Sequence, residues 1–158
     1  MAEPGLADLL EKEAIRALIQ ETAALLDREE LDGWIGLFAE DSEYALVTYG
    51  PEIKAAMTWW KSKRDDLKNI LDEVPQHVRD SGHRRHLVTP VSISVSGETA
   101  SVESHFVVIR TGRDGDSAVY AAGRYEDELV MEGGRWRYAS HRCVLDTRML
   151  GTGTHVPL

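Results

Sequence analysis

The first forty residues carry apolar side chains at the spacing of one helical face. That face consists of Ile15, Leu18, Ile19, Thr22, Leu25 and Leu26. The charged residues Glu13, Glu21 and Arg28 fall on other faces of the same pattern. The spacing predicts an amphipathic helix that begins within residues 6–8 and ends within residues 27–28.

The stretch that follows predicts a short helix, a turn and a strand. Residues 31–38 have apolar positions on one helical side, and the small and polar residues 39–42 indicate a turn. Residues 44–48 favour a strand. The pair Gly50-Pro51 ends that strand, because proline has no amide donor and restricts the residue before it.

A third helix is predicted before the pattern changes. Apolar residues drift along one side of residues 53–74, and Pro75 ends the segment. Residues 76–83 have no apolar period and are interpreted as a loop.

From about residue 84 the apolar period falls from about 3.6 to 2, the period of a strand with one buried face. The clearest such face is formed by Ala100, Val102, Ser104, Phe106 and Val108. Turns are predicted at Gly97, 112–115 and 132–134, so two long strands should cover residues 118–131 and 135–145.

Helices followed by a long meander predict an α+β fold, with three N-terminal helices packed on one face of a strongly curved antiparallel sheet. No repeat or linker divides the chain, so we expect one domain over residues 1–158, with flexible ends at about 1–6 and 150–158. A curled sheet leaves a conical cavity that suits a small apolar ligand or an interface. Because one sheet face stays uncovered, we also expect self-association, as a trimer.

The net charge of −9 comes entirely from the start of the chain. Residues 1–43 hold 12 acidic and 3 basic side chains, whereas residues 44–158 hold 15 of each. Short basic clusters at 61–64 and 84–85 are too small to bind a phosphate backbone, so no nucleic-acid partner is expected. No apolar run reaches the roughly 20 residues of a membrane helix. The first five residues do not resemble a signal peptide, and we expect a cytoplasmic protein without a membrane partner.

Histidine and cysteine positions do not predict a metal site. Cys143 is the single cysteine, so the chain has no intrachain disulfide, zinc finger or self-contained iron–sulfur cluster. His83 and His86 have a ligand-like spacing, but side chains three apart in a strand point to opposite faces. His105 and His141 lie on predicted strands and could face the same interior, although nothing in their spacing shows that they converge on an ion.

Asp27 and His86 are candidate partners at the mouth of the cone. Asp27 ends the first helix on its buried side, and His86 opens the first long strand. A carboxylate that fixes the tautomer of a histidine can make it a general base. The same contact can be a structural hydrogen bond at a helix end, and the residues alone leave both interpretations open.

The order of several segments resembles a known family. Residues 25–41, followed by the strand at Tyr44, resemble the opening of the cystatin-like, nuclear transport factor 2-like fold of the SnoaL-like superfamily. Four further segments resemble the β (small) subunit of aromatic-ring-hydroxylating dioxygenases more specifically. They are Met57-Thr58-Trp59-Trp60, Arg85-His86-Leu87-Val88-Thr89, Gly123-Arg124-Tyr125-Glu126-Asp127-Glu128-Leu129 and Gly134-Arg135-Trp136-Arg137-Tyr138. Together these segments span about residues 8 to 148.

The resemblance implies a non-catalytic structural subunit of a terminal oxygenase component. In that family the Rieske [2Fe-2S] cluster and the mononuclear iron lie in a large α subunit, and a β trimer lies beneath an α trimer. The ending Val156-Pro157-Leu158 is similar to the branch that dihydroxylates aromatic carboxylates such as terephthalate. The cavity or interface candidates are Trp59, Trp60, Arg85, His86, Arg124, Tyr125 and Trp136.

Two alternatives stay open. Scytalone-dehydratase-like and polyketide-cyclase-like enzymes of the same superfamily act alone, with an aspartate that ends the first helix and a histidine that opens the long sheet. Asp27 and His86 match those positions, and His105 is the nearest candidate for a second catalytic histidine. A small-ligand-binding module without chemistry needs only the cavity.

Overall fold

Three α-helices, a short 3-10 turn and six strands make up the computed structural model, which describes residues 5–76, 80–151 and 156–158. The helices are α1 (Leu6–Asp27), α2 (Leu31–Ile35) and α3 (Arg64–Glu73), and the 3-10 turn is Val74–Gln76. The strands are β1 (Phe38–Gly50), β2 (Ala55–Lys63), β3 (His83–Ser96), β4 (Thr99–Thr111), β5 (Ser117–Glu132) and β6 (Arg135–Leu145).

The strands form one sheet in the order β2-β1-β6-β5-β4-β3, with the helices on one side. Strands β3 to β6 form the predicted antiparallel meander, and its turns fall where the sequence predicted them. One pair, β1 with β6, is parallel, so the sheet is not antiparallel throughout. The predicted α+β architecture is confirmed with that correction.

The core lies between α1 and the inner face of the sheet. All six residues of the predicted α1 face are buried. Behind them, Trp34, Phe38, Tyr44 and Tyr138 are almost completely enclosed, and their rings meet edge-on or tilted at 4.7–5.5 Å between centroids. Burying each such side chain contributes about 1.5–3 kcal/mol. Among the described residues, no helix is both long enough and apolar enough to cross a membrane.

The helix expected over residues 53–74 is wrong in its first half. Ala55–Lys63 forms β2, an edge strand antiparallel to β1, and α3 covers only the second half. Most of the β2 side chains are exposed, so burial does not require apolar and polar residues to alternate along this strand. Its apolar residues happen to have the spacing of one helical face. Two aspartates in the first turn of α3, Asp65 and Asp66, favour a helix start there.

The turn expected over residues 39–42 is part of a strand. Helix α2 ends at Ile35 rather than at residue 38, and β1 runs without a break from Phe38, including the predicted strand 44–48. A local irregularity remains, since the Ser42 hydroxyl donates to the Ala39 carbonyl at 2.6 Å and the register with β6 shifts before Glu43. The polar residues therefore mark a strand irregularity.

The flexible end expected over residues 150–158 is wrong for its last three residues. Val156, Pro157 and Leu158 are buried, and the Leu158 amide donates to the Tyr44 hydroxyl at 3.2 Å. These three residues follow neither a helical nor a strand spacing, so the sequence did not predict that they are packed. Residues 152–155, residues 1–4 of the other expected flexible end and residues 77–79 of the expected loop lie outside the described residues.

Candidate functional site

The C-terminal end of α1 sets the position of Asp27. Glu29 has a φ of 55°, the left-handed conformation that commonly ends a helix. The amides of Glu29 and Glu30 fold back to the carbonyls of Leu26 and Leu25 at 3.0 and 2.9 Å. The helix therefore stops with the Asp27 side chain directed at the start of β3.

The structure brings the predicted pair Asp27 and His86 into contact. The Oδ1 atom of Asp27 accepts from the His86 backbone amide at 2.9 Å and lies 2.7 Å from His86 Nδ1. We assign the Nδ1 proton to His86 from this geometry, since a carboxylate only accepts. The His86 side chain is 1% exposed and Asp27 15%.

The other ring nitrogen of His86 decides what this pair can do. Nε2 is buried and has no hydrogen-bond partner. A surface cavity of about 250 Å³ is lined partly by Asp27, Arg84 and His86 itself. A general base must come within hydrogen-bond reach of the proton that it removes. A ligand in this cavity cannot meet Nε2 unless the side chains around that atom move.

An ion cluster forms another wall of the same cavity. Arg110 donates twice to the Asp80 carboxylate, both at 2.6 Å, and the Gly82 amide donates a third bond at 3.0 Å. The Arg84 guanidinium lies 3.6 Å from Asp80 and 4.3 Å from the centroid of the Tyr120 ring. The hydrogen bonds from Arg110 hold the pKa of Asp80 well below its usual value. The cluster fixes the residues that enter β3.

A second buried pair, Asp127 and His141, lies inside the cone. Asp127 Oδ1 is 2.6 Å from His141 Nδ1, and both side chains are 1% exposed. Aromatic rings surround the imidazole, including Tyr125 and Tyr138 at 4.8 and 4.7 Å between centroids. Burial raises the pKa of Asp127, which the imidazole partly opposes, and Nε2 of His141 is also buried without a partner.

Sequence reasoning missed this pair because of a bulge. Counting back along the hairpin from Glu132, which faces Arg135, places Asp127 opposite Ser140. The register shifts between Glu128 and Leu129, so Asp127 faces His141 instead. The pair could have been predicted from the fact that Asp127 and His141 both occupy inward-facing positions of their strands.

The interior next to this pair is filled. Apolar side chains including Ile19, Leu26 and Val88 close around Asp127 and His141, and the crevice between them has no room for a water molecule. The conical cavity expected from the sequence is therefore not a ligand-sized space among the residues that the structure describes.

Four candidate residues face outward. His105 is 65% exposed, so the expectation that it shares an interior with His141 is wrong, because the inner face of β4 takes Ser104 and Phe106. Arg85 is exposed, Trp59 is 42% exposed, and Arg124 bonds Glu126 on the outer sheet face. Arg85 precedes His86 along β3, but its side chain lies on the opposite face of the strand.

Three other candidates lie inside or half inside. Trp60 packs edge-on against Tyr44 at 5.4 Å between centroids and donates its indole proton to Ser62 at 2.8 Å. Tyr125 stacks on Phe106 at 4.3 Å. Trp136 is buried and donates its indole proton to Glu11 of α1 at 2.6 Å. Their contacts are those of packing residues.

The residues that the structure describes do not fit the iron groups of an oxygenase. A Rieske cluster takes two cysteines and two histidines, and Cys143 is the single cysteine. Cys143 is buried, and burial raises the pKa of its thiol. His83 is exposed and His86 buried, on opposite faces of β3 as predicted. Across the described ranges, no three His, Cys, Asp or Glu side chains are grouped to hold a metal ion.

Comparison with known proteins places the chain in a family. The model of the SnoaL-like domain matches residues 7–142. The chain belongs to the SnoaL-like domain family. This SnoaL-like chain is 29% identical to the 2-aminobenzenesulfonate 2,3-dioxygenase subunit beta of an Alcaligenes species, over 92% of the chain and 97% of the relative. It is 30% identical to the methanesulfonate monooxygenase hydroxylase subunit beta of Methylosulfonomonas methylovora, over 92% and 86%.

Comparison with solved structures supports the same relationship. A protein of Novosphingobium aromaticivorans assigned as the beta subunit of an aromatic-ring-hydroxylating dioxygenase superposes with a TM-score of 0.80 at 25% identity, over 90% of this chain and 94% of that one. A protein of the same organism assigned as a scytalone dehydratase gives 0.65 at 26% identity, over 95% and 91%. The predicted relationship of the SnoaL-like chain to dioxygenase β subunits is confirmed.

Proposed function

We propose that this SnoaL-like chain is the non-catalytic β subunit of a ring-hydroxylating dioxygenase. One observation carries the proposal beyond family membership. The crevice beside Asp127 and His141 is filled, and the Nε2 atoms of His86 and His141 are both buried, so neither atom meets a substrate unless the side chains around it move. A subunit whose partner performs the chemistry needs no such access.

The partner is a large α subunit that holds the Rieske [2Fe-2S] cluster, the mononuclear iron and the aromatic substrate. The names of the relatives, each a beta subunit, support such a partner. The chain itself supplies one cysteine, too few for the cluster. We place the complex in the cytoplasm and propose an aromatic carboxylate as its substrate, which a panel of benzoates and neutral arenes tests.

Self-association as a trimer within a hetero-hexamer completes the proposal. Support comes from Leu87 and Val119, which are 55% and 67% exposed on β3 and β5, away from the helices. Exposed apolar side chains on a sheet favour an interface. The Asp27–His86 pair then has an architectural role, in which it ties the end of α1 to the first residues of β3.

Co-expression with the large oxygenase subunit of the same organism tests the proposal. The chain should co-purify with that subunit, native mass spectrometry should give three copies of each, and iron should stay with the large subunit when the chains are separated. A chain that remains a monomer of about 18 kDa in the presence of that subunit would overturn the proposal.

A stand-alone dehydratase or cyclase is the second candidate. The 2.7 Å contact between Asp27 and His86 favours it, as does the similarity to the protein assigned as a scytalone dehydratase. The exposure of His105 and the burial of His86 Nε2 count against it. The crevice beside Asp127 and His141 offers no space for the third candidate, a small-ligand module.

A further inference from the structure

Residues Val156, Pro157 and Leu158, which we call the tail, lie inside the molecule although they belong to no helix or strand. Leu158 is 0% exposed and Val156 7% exposed, and both side chains belong to the main hydrophobic core. The tail therefore fills space that the helices and strands leave open between them.

The tail lies between the Asp27–His86 pair and Tyr44. At one end, Val156 lines the surface cavity of about 250 Å³ together with Asp27 and His86. At the other end, the Leu158 amide donates to the Tyr44 hydroxyl at 3.2 Å, and that hydroxyl lies 3.5 Å from the main-chain oxygen of Leu158. We call the space that the tail occupies between these residues the tail seat. Because Val156 lines a surface cavity, the tail seat has an entrance from solvent.

The Tyr44 hydroxyl gives the tail seat one polar point in apolar surroundings. The Tyr44 side chain is buried and packs edge-on against Trp34 and Trp60, at 5.5 and 5.4 Å between ring centroids. A buried hydroxyl requires a hydrogen-bond partner. In the described part of the chain, both polar contacts of this hydroxyl are with the main chain of Leu158. Removal of the tail leaves the hydroxyl unpaired, so the empty seat favours a ligand that carries an amide.

The composition of the tail lowers the cost of burying it. A buried backbone amide without a partner is unfavourable, and Pro157 has no amide proton. The Leu158 amide is paired with Tyr44. Proline also restricts the free chain, so less conformational entropy is lost when the tail becomes ordered. The tail thus combines apolar side chains with few hydrogen-bonding groups, as does a ligand of an apolar site.

We propose that the tail seat is a latent ligand site, which the chain's own tail occupies and which binds an uncharged, apolar molecule with an amide group when the tail is absent. The tail competes with such a ligand, because it is attached to the same chain and has an effective concentration on the order of 1 mM. The chain with its tail therefore keeps the seat closed to ligands. The inference does not depend on the partner or the chemistry of the proposed function.

Calorimetric titration of a chain that lacks residues 156–158 tests the site. The probe is the acetylated tripeptide amide Val-Pro-Leu, and the acetylated tripeptide amide Ser-Pro-Ser is the polar control. The shortened chain should bind Val-Pro-Leu, and the chain with its tail should bind it at least about tenfold more weakly. Tyr44→Phe in the shortened chain should weaken binding by about 2- to 10-fold, because a hydrogen bond is lost.

A substitution in the chain with its tail gives a second readout. Leu158→Ala should lower the melting temperature by about 4–20 °C and leave an apolar cavity on the order of 150 Å³. Such a cavity binds benzene, so benzene should raise the melting temperature of this variant and leave that of the wild type unchanged. Met149→Ala is the matched control, because Met149 is apolar, close in sequence and 88% exposed. It should melt with the wild type, with and without benzene.

Each outcome decides for or against the latent site. A folded shortened chain that binds neither peptide, or both equally, overturns it. Equal affinity of the Val-Pro-Leu peptide for the chain with its tail places the peptide elsewhere and also overturns it. If the shortened chain does not fold, the benzene experiment decides, and a Leu158→Ala protein that melts with the wild type or ignores benzene overturns the site. Co-purification with the large subunit is a separate measurement, so the proposed function stands or fails independently.

Discussion

Replacing Asp27 by alanine should destabilise the fold strongly, because two buried donors share its Oδ1 atom. The His86 backbone amide and Nδ1 both donate to that atom, and the His86 side chain is 1% exposed. Each buried donor left without an acceptor costs about 1–3 kcal/mol, so the variant should lose about 2–6 kcal/mol. For a domain of this size, at about 2–4 °C per kcal/mol, the melting temperature should fall by about 4–24 °C.

Two control variants isolate the hydrogen bonds from other effects. Asp27→Asn keeps an oxygen acceptor at the same place and should lose much less stability than the alanine variant. Glu30→Ala removes an exposed carboxylate near the same helix end, where it pairs with Arg28, and should change little. Thermal and urea unfolding followed by circular dichroism give the comparison. An Asp27→Ala protein that melts with the wild type would refute the argument.

Three further predictions concern other parts of the chain. Asp80→Asn should destabilise the protein at neutral pH. Because Arg110 lowers the pKa of Asp80 from its usual 3.8, the difference in free energy of unfolding between the variant and the wild type should be complete above that pH and should shrink as the pH falls below it. A difference that does not depend on pH in urea titrations would contradict this. Asp127→Ala should cost about 3–5 kcal/mol, because it leaves His141 buried without its partner, and a urea midpoint equal to that of the wild type would count against a paired role. The chain purified alone should retain no stoichiometric iron or zinc after dialysis against a chelator, and one ion per chain by elemental analysis would show a site that its residues do not suggest.

Elements with one buried face could be predicted from the sequence. Helix α1 and strands β3 to β6 each bury one side, so their apolar residues follow the period of the element. Strand β2 lies at the sheet edge with most side chains exposed, and burial left no pattern in its sequence. Residues 39–42 look like a turn because they form an irregular part of a strand.

The candidate site was predictable only where the topology was simple. Asp27 and His86 each lie at the end of an element, so their meeting follows from packing a helix on a sheet. Asp127 and His141 face each other only because a bulge shifts the register of β5 and β6 by one residue. Side chains from several elements together fill the interior, so a local sequence pattern does not predict that it is filled.

Turnover of the assembled oxygenase with His86→Ala tests most directly whether this chain is non-catalytic. The measurement is substrate-dependent oxygen consumption per complex, with assembly and melting temperature recorded for the same sample. We predict a lower melting temperature and unchanged specific activity, because His86 Nε2 is buried and the proposed function assigns the iron to the partner. A loss of about 10²–10⁴ in rate at unchanged assembly, as removal of a general base produces, would contradict the account.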